Sequence, residues 1–249
     1  MTSSTYTHLH NKRDIHDDRD YRFTTALTTV PASADLRPRC PAIYNQLTLQ
    51  SCSSHAISSA LQMLATAGGK AIEAPSRLFL YYNSRLLANE ANVDGGASIR
   101  NAMKATAKPG VCPEALWPYD PANVNAEPVR SAYEGIETRA LEYFRIEQDL
   151  FKIKACIAEG FPFVLGISMF QSTIETAQTT GHVQLPQPNE TPLGGHAVLG
   201  VAYDDATQTL VALNSLGDGF GAHGFLLIPY AFLTDNNLAY DFWMIREIG

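Results

Sequence analysis

Apolar positions recur along the first half of the chain at spacings of three and four, and in the second half they gather into short β-branched and aromatic runs. From Cys52 to Ala67 there is neither Gly nor Pro, and Ala56, Ile57, Ala60, Leu61 and Leu64 fall on one face, which predicts a buried helix. Gly68 and Gly69 supply its stop, and Ser51 stands where a capping hydroxyl would accept a hydrogen bond from the first turn. Cys52 is thereby placed at a helix N-terminus. Amphipathic patterns predict further helices over 75–88, 97–107 and 147–159, interrupted by Pro-rich loops near 109–128. After Pro162 the runs FVLGISMF, HAVLGVAY, TLVALN, GFLLIPY and YDFWMIREI, each bounded by turn residues, read as strands. Helices followed by antiparallel strands predict an α+β protein with a binding groove between a mainly helical portion, residues 31–145, and a mainly β portion, residues 146–249. The Pro-bounded stretch VPASADLRPRCP sets residues 1–30 apart as an N-terminal appendage.

Composition narrows the classes of function. The 249 residues carry 18 basic and 25 acidic side chains, a net charge of −7, which offers no footprint for nucleic acid or an anionic membrane surface. The longest apolar stretches are about half the ~20 residues that span a bilayer. The first thirty residues mix both charges and lack the apolar centre of a secretory signal, so the expected location is the cytoplasm by default, with non-standard secretion left open. The four cysteines, at 40, 52, 112 and 156, have neither scaffold density nor C-x-x-C spacing, which argues against structural zinc. Cys40, Cys112 and Cys156 read as inert thiols, and a bridge between Cys40 and Cys112 under oxidising conditions stays open.

The runs HAVLGVAY and TLVALN are joined by Asp204, Asp205 and Ala206, a natural turn. A tight hairpin would set residues whose numbers sum to about 410 opposite each other, and His196 with Asn214 meets that condition. The amide oxygen could then fix the ring tautomer while the other ring nitrogen faces the groove. Cys52, at its helix N-terminus, gains thiolate character from unpaired N–H groups and from pairing with His196. Gln46, six residues earlier, offers an amide N–H₂ that could join the Cys52 backbone N–H as an oxyanion hole. Any one of these residues alone reads as packing filler; their conjunction in one order is what points to nucleophilic catalysis.

Gln46, Ser51-Cys52, Gly195-His196-Ala197 and Asn214-Ser215-Leu216-Gly217, in this order and spacing, resemble the papain family of cysteine peptidases. PASADLRP resembles the family's mature amino-terminal stretch, Asp94-Gly95-Gly96 its substrate-backbone-binding glycines, and CSSHAISSAL and GVCPEALWPYD its prokaryotic-type members. The resemblance implies a two-lobed papain-like fold, with a helical lobe, an antiparallel β-barrel-like lobe and a cleft between them. It implies a thiol peptidase acting through a covalent thioester, with catalytic Cys52, His196, Asn214 and Gln46 and no metal or organic cofactor. A peptide or protein substrate would lie extended, bound by Gly95 and Gly96, with a pocket near Gly166 for an apolar side chain. Four positions depart from the family pattern: Leu49 replaces a cysteine, Ser53 an aromatic, and Leu216 and Phe220 two tryptophans that screen the His and Asn pair. Two alternatives remain, a thiol-dependent acyltransferase or amidase with the same nucleophile, and a peptide-binding pseudoenzyme. His55, one turn past Cys52, reads as packed, and residues 1–30 read as either a disordered tail or a short inhibitory pro-segment.

Overall fold

The computed structural model describes residues 9–249; the first eight residues of the predicted 1–30 appendage lie outside the described residues. In chain order the elements are β1 (Ser33–Asp35), α1 (Cys52–Ala67), α2 (Arg77–Leu86), α3 (Ile99–Ala107), α4 (Arg130–Glu134), β2 (Ala140–Arg145), α5 (Leu150–Ala158), β3 (Phe163–Met169), α6 (Gln171–Thr180), β4 (Gly194–Asp204), β5 (Thr209–Leu213), β6 (Phe225–Pro229), α7 (Tyr230–Leu233) and β7 (Ala239–Ile248). The expected helices and the strand runs after Pro162 are in place, so the α+β class holds. Among the described residues no helix is long and apolar enough to cross a membrane.

All strands join one antiparallel sheet in the order β2-β7-β3-β4-β5-β6, with β1 added to β4. The sheet does not close on itself, so the barrel-like expectation is corrected to an open, strongly connected sheet. β4 is its axis: over Gly194–Gly200 it pairs with β3, and over Ala202–Asp204 with β1. A register shift between Gly200 and Ala202 re-aims the strand where its neighbours change. Two strands come from the portion expected to be helical, β1 and β2, because both cover edges that β4 and β7 would otherwise leave open.

Helix α1 runs through the centre, with twelve of its sixteen residues buried, including Cys52, Ile57, Leu61 and Met63. Its buried face is wider than a single stripe because the sheet lies on one side and α2 and α3 on the other. The C-terminal stop is as expected: the Gly68 N–H reaches the Leu64 carbonyl and Gly69 takes φ +70°. The N-terminal cap is not. Ser51 makes no capping hydrogen bond; its hydroxyl instead pairs with the Tyr119 hydroxyl at 2.7 Å. The first-turn N–H groups of α1 are therefore left for another acceptor.

Candidate active site

These first-turn N–H groups lie beside the Cys52 thiol. The backbone N–H groups of Ala197, on β4, and of Ser53 and Cys52, at the helix start, favour its anionic form. β4 thus delivers Ala197 to one side of the thiol and, one residue earlier, His196 into the same buried space, where both residues are fully enclosed. His196 Nε2 lies 2.7 Å from Asn214 Oδ1. The same oxygen accepts the Ser215 N–H at 2.8 Å, which fixes the amide and requires the ring to donate from Nε2.

The route by which His196 and Asn214 meet differs from the tight hairpin expected. The β4–β5 turn is longer, and pairs run Asp204 with Thr209 and, past the bulge, Leu199 with Leu213. Pair sums are 413 and then 412 rather than 410, so the two side chains meet diagonally just past the last ladder pair. His196 and Asn214 still meet because a diagonal neighbour is within reach of an imidazole.

Gln46 is fully buried beside this group. Its Oε1 accepts from the Ser215 hydroxyl at 2.7 Å, which settles the orientation of the amide and leaves Nε2 as the donor; one Nε2 hydrogen goes to the Leu49 carbonyl at 2.8 Å. Ser215 therefore ties Asn214 to Gln46 through its backbone and its side chain. Tyr119 completes the support by donating to the Gln46 carbonyl at 2.8 Å. Neither Ser215 nor Tyr119 was singled out from the sequence, although both lie inside the quoted strings NSLG and WPYD.

The thiol does not have the enhanced acidity expected from its helix N-terminus. Burial pushes Cys52 up to about 11, outweighing the three N–H groups that favour the anion. His55, behind it, is enclosed between the rings of Tyr44 and Tyr119 and is pushed down to about 3 by burial. Its Nδ1 lies 3.0 Å from the Ser51 carbonyl, so that nitrogen carries the proton of a neutral ring.

The groove beside the thiol is crossed by the chain's own N-terminal segment. Residues 9–12 cross the groove: the Asn11 N–H donates to the Gly195 carbonyl at 2.7 Å, and the Lys12 N–H approaches the Ala97 carbonyl at 3.4 Å. His10 pairs with Gly195, and Lys12 with Ser98, as parallel bridges. Gly96, at φ +76°, lets this strap come close; a Cβ there would lie 1.7 Å from the His10 carbonyl oxygen. The Gly96 N–H is not offered to the groove, however. It donates to the Tyr81 hydroxyl at 3.0 Å, and Tyr81 in turn donates to Asp94 at 2.5 Å, so the facing carbonyl is that of Ala97. Gly95 lies beside the Lys12 ammonium and the Val93 side chain. The glycine loop is held from behind by the fully buried Arg85, which donates to the carbonyls of Ala91 and Val93. Gly166 on β3 faces Tyr240 and the Asn11 amide, leaving no room for a side chain of its own.

Beyond the groove the strap is fastened by charge. Asp14 accepts from the Arg100 N–H at 3.0 Å and the Trp243 indole at 2.8 Å, while its own N–H donates to Asp241 at 2.6 Å. Arg100 forks onto Asp20 in an almost fully buried pair, and Arg145 bridges Asp20 and Asp241. Phe23 enters the core at 2% exposure.

All four cysteines are free, so the Cys40 to Cys112 bridge is not formed; Cys40 instead touches the Met63 sulfur at 3.9 Å. Leu216 is partly buried against the core and pairs with Asn45, and Phe220 is buried. Among the described residues no group of three or more His, Cys, Asp or Glu side chains is placed to hold a metal ion.

Comparison with known proteins adds sequence and fold relatives. No protein-family model matches the chain. An uncharacterised peptidase C1-like protein of Acanthamoeba polyphaga mimivirus is 36% identical over 222 residues, covering 85% of this chain and 71% of the relative. Xylellain, a cysteine protease from Xylella fastidiosa, superposes with a TM-score of 0.89 over 96% of both chains at 34% identity. Procathepsin B from Trypanosoma congolense shares the fold at 16% identity, with a TM-score of 0.78 over 97% of this chain and 87% of its own.

Proposed function

Since the chain belongs to the papain family of cysteine peptidases, we propose that it cleaves peptide bonds with Cys52 as nucleophile, His196 as proton carrier, Asn214 as orienting group and Gln46 as oxyanion donor. The observation that supports this most directly is the 2.7 Å contact of His196 Nε2 with Asn214 Oδ1, one residue from the Ala197 N–H that favours the Cys52 thiolate. With Nε2 committed to Asn214, the remaining ring nitrogen, Nδ1, takes the thiol proton, and the sulfur attacks the scissile carbonyl. The negative charge that develops on the carbonyl oxygen is met by the Cys52 N–H and the second hydrogen of Gln46 Nε2. The imidazolium returns its proton to the leaving amine, giving a thioester, which a water deprotonated by the same ring then hydrolyses.

Substrate would lie extended where the strap now lies, between Ala97 beside the Gly95-Gly96 loop and Gly195 on β4, with one side chain entering at Gly166. In this reading the helical portion supplies the nucleophile and one rim of the groove, and the β portion supplies the base and the other rim. The N-terminal segment restrains the enzyme by holding the same backbone acceptors. It also keeps the thiol desolvated and hence protonated at neutral pH.

The test is labelling by a peptidyl epoxide, read as intact mass. Removing residues 1–13 takes away the groove-crossing part while keeping Asp14, Asp20 and Phe23. The shortened wild-type chain is expected to take up one equivalent, the full chain to react more slowly, and Cys52→Ala to stay unlabelled in both lengths while retaining its circular dichroism. Wild type that is unlabelled in both lengths overturns the assignment of the nucleophile; equal labelling rates in both lengths overturn the restraint.

A further inference from the structure

One residue of the strap sits in a site that the strap itself did not build. The Arg13 guanidinium lies 4.1 Å from the centroid of the Tyr240 ring. Its NH1 donates to the Asn236 carbonyl at 2.9 Å and its NH2 to the Asn237 carbonyl at 2.8 Å, with the Ser168 hydroxyl 3.4 Å from NH2. An aromatic face beside two carbonyls spaced for the two arms of a guanidinium is a recognition site for arginine, and one that a lysine ammonium would fill with fewer bonds.

The site is preformed by the body of the protein. The Asn237 carbonyl already accepts the Ser168 hydroxyl at 2.7 Å. The Asn237 N–H and side chain both reach the Asp235 carboxylate. The Asp235 carbonyl accepts from Leu238 and Ala239, and the Leu238 carbonyl accepts the Ser168 N–H at 2.7 Å, which welds the loop to β3 and β7. None of these bonds involves the strap, so the carbonyls keep their aim when Arg13 leaves. The surrounding charge also favours a cation: the charged side chains that the body contributes to this pocket are Asp241 and Glu147 against Arg145.

Tyr240 joins this site to the groove, since a Cβ on Gly166 would meet the Tyr240 ring at 2.3 Å and the Asn11 amide at 2.8 Å. We propose that the Tyr240, Asn236, Asn237 and Ser168 site is a substrate subsite for an arginine side chain, occupied by Arg13 while the strap is in place. This rests on reading the groove as peptide-binding, and it makes arginine-containing peptides the favoured substrates and Arg13 their internal competitor.

Binding tests the proposal without relying on turnover. In the full chain carrying Arg13→Ala and Cys52→Ala, titration with acetyl-Ala-Arg-Ala-amide and with the same peptide bearing citrulline, followed by NMR, is expected to give at least a tenfold lower Kd for arginine. Adding Tyr240→Leu is expected to reduce that ratio to about one, and restoring Arg13 to weaken arginine binding at least tenfold. Equal affinities for the two peptides, or no binding of either, overturn the proposal. A second arm uses the Arg13→Ala chain with Cys52 intact and fluorogenic peptides carrying Arg, Lys or Leu at each position in turn on the acyl side. A preference for Arg of at least tenfold at one position supports the subsite. Leu peptides cleaved as fast as Arg peptides overturn the subsite alone, and arginine-selective binding with no cleavage of any peptide overturns the peptidase reading alone.

Discussion

Ser215 is the residue on which the geometry of two of the proposed catalytic groups converges. Its N–H holds Asn214 Oδ1 and its hydroxyl holds Gln46 Oε1, so one residue sets the orientation of the amide that holds the imidazole and of the proposed oxyanion donor. Ser215→Ala keeps the first bond and loses the second, freeing the Gln46 amide to turn. Loss of an oxyanion donor outright costs about a hundredfold to a thousandfold in kcat. Ser215→Ala is expected to lower kcat by about tenfold with little change in KM, and to add almost nothing in a Gln46→Ala background, as steady-state kinetics on the shortened chain would reveal. A full additive loss in the double variant would mean that Ser215 acts on something other than Gln46. At Cys52 the expectation concerns pH. With the strap in place burial holds the thiol up to about 11, so alkylation of the full chain is expected to rise only on the alkaline side, and removing residues 1–13 to move that profile toward lower pH. Identical profiles would place the cause of the shift elsewhere than the strap.

Among the secondary-structure elements, α3 carries the main fastening of the strap. Arg100 is almost fully buried and satisfies Asp20, while its backbone N–H satisfies Asp14. Breaking a buried pair by removing one partner costs about 3–5 kcal/mol, because the other charge stays buried and unpaired. Arg100→Leu is expected to relieve that cost by releasing residues 14–20, so that trypsin cuts the full chain at Arg13, Arg19 or Arg22 at least tenfold faster than in wild type. Unchanged trypsin susceptibility would show that the groove-crossing residues alone hold the segment. The periodicity that predicted α1, α2, α3 and α5 was legible because each of these helices buries a face. β1 was not, since three residues of mixed burial carry no alternation to read; its strand character comes from pairing with β4. Helix α6 was hidden likewise, because QSTIETAQTT is mostly polar and buries only Thr173, Ile174 and Ala177.

For the whole molecule, the order of Gln46, Cys52, His196 and Asn214 made the candidate site legible in the sequence, because the proposed nucleophile, base and orienting amide come from fixed points on α1 and β4–β5. Asn214 Oδ1 still fixes the His196 tautomer, despite a hairpin register displaced by a bulge. The open edges of the sheet and the destination of residues 9–30 were not legible. Both depend on contacts between segments distant in sequence, such as Asp14 with Trp243 and Asp241. The same contacts make docking sensitive to pH. Burial, and after it the nearby Asp14 carboxylate, push Asp241 up to about 6 from 3.8, against the Asp14 N–H and the pull of Arg145. An acid whose pKa is raised by docking takes up a proton on docking, so its contribution is fullest below the free value and is lost as pH rises through 6. The activity of the full chain, divided by that of the shortened chain at each pH, is therefore expected to increase between pH 4.5 and 7, and Asp241→Asn to flatten the ratio. A ratio that falls with pH would assign control to another group.

The groove-crossing residues and the groove belong to one polypeptide, joined through Phe23 and the run into β1. A tethered blocker of this kind competes at an effective local concentration of about millimolar for a short flexible link, whatever the amount of protein in solution. Dilution leaves it in place, so under the proposed restraint an intact chain is expected to stay equally latent at nanomolar and micromolar concentration. A single cut between the segment and β1 would convert the same contacts into a bimolecular equilibrium, and from that moment abundance would decide how much enzyme is open.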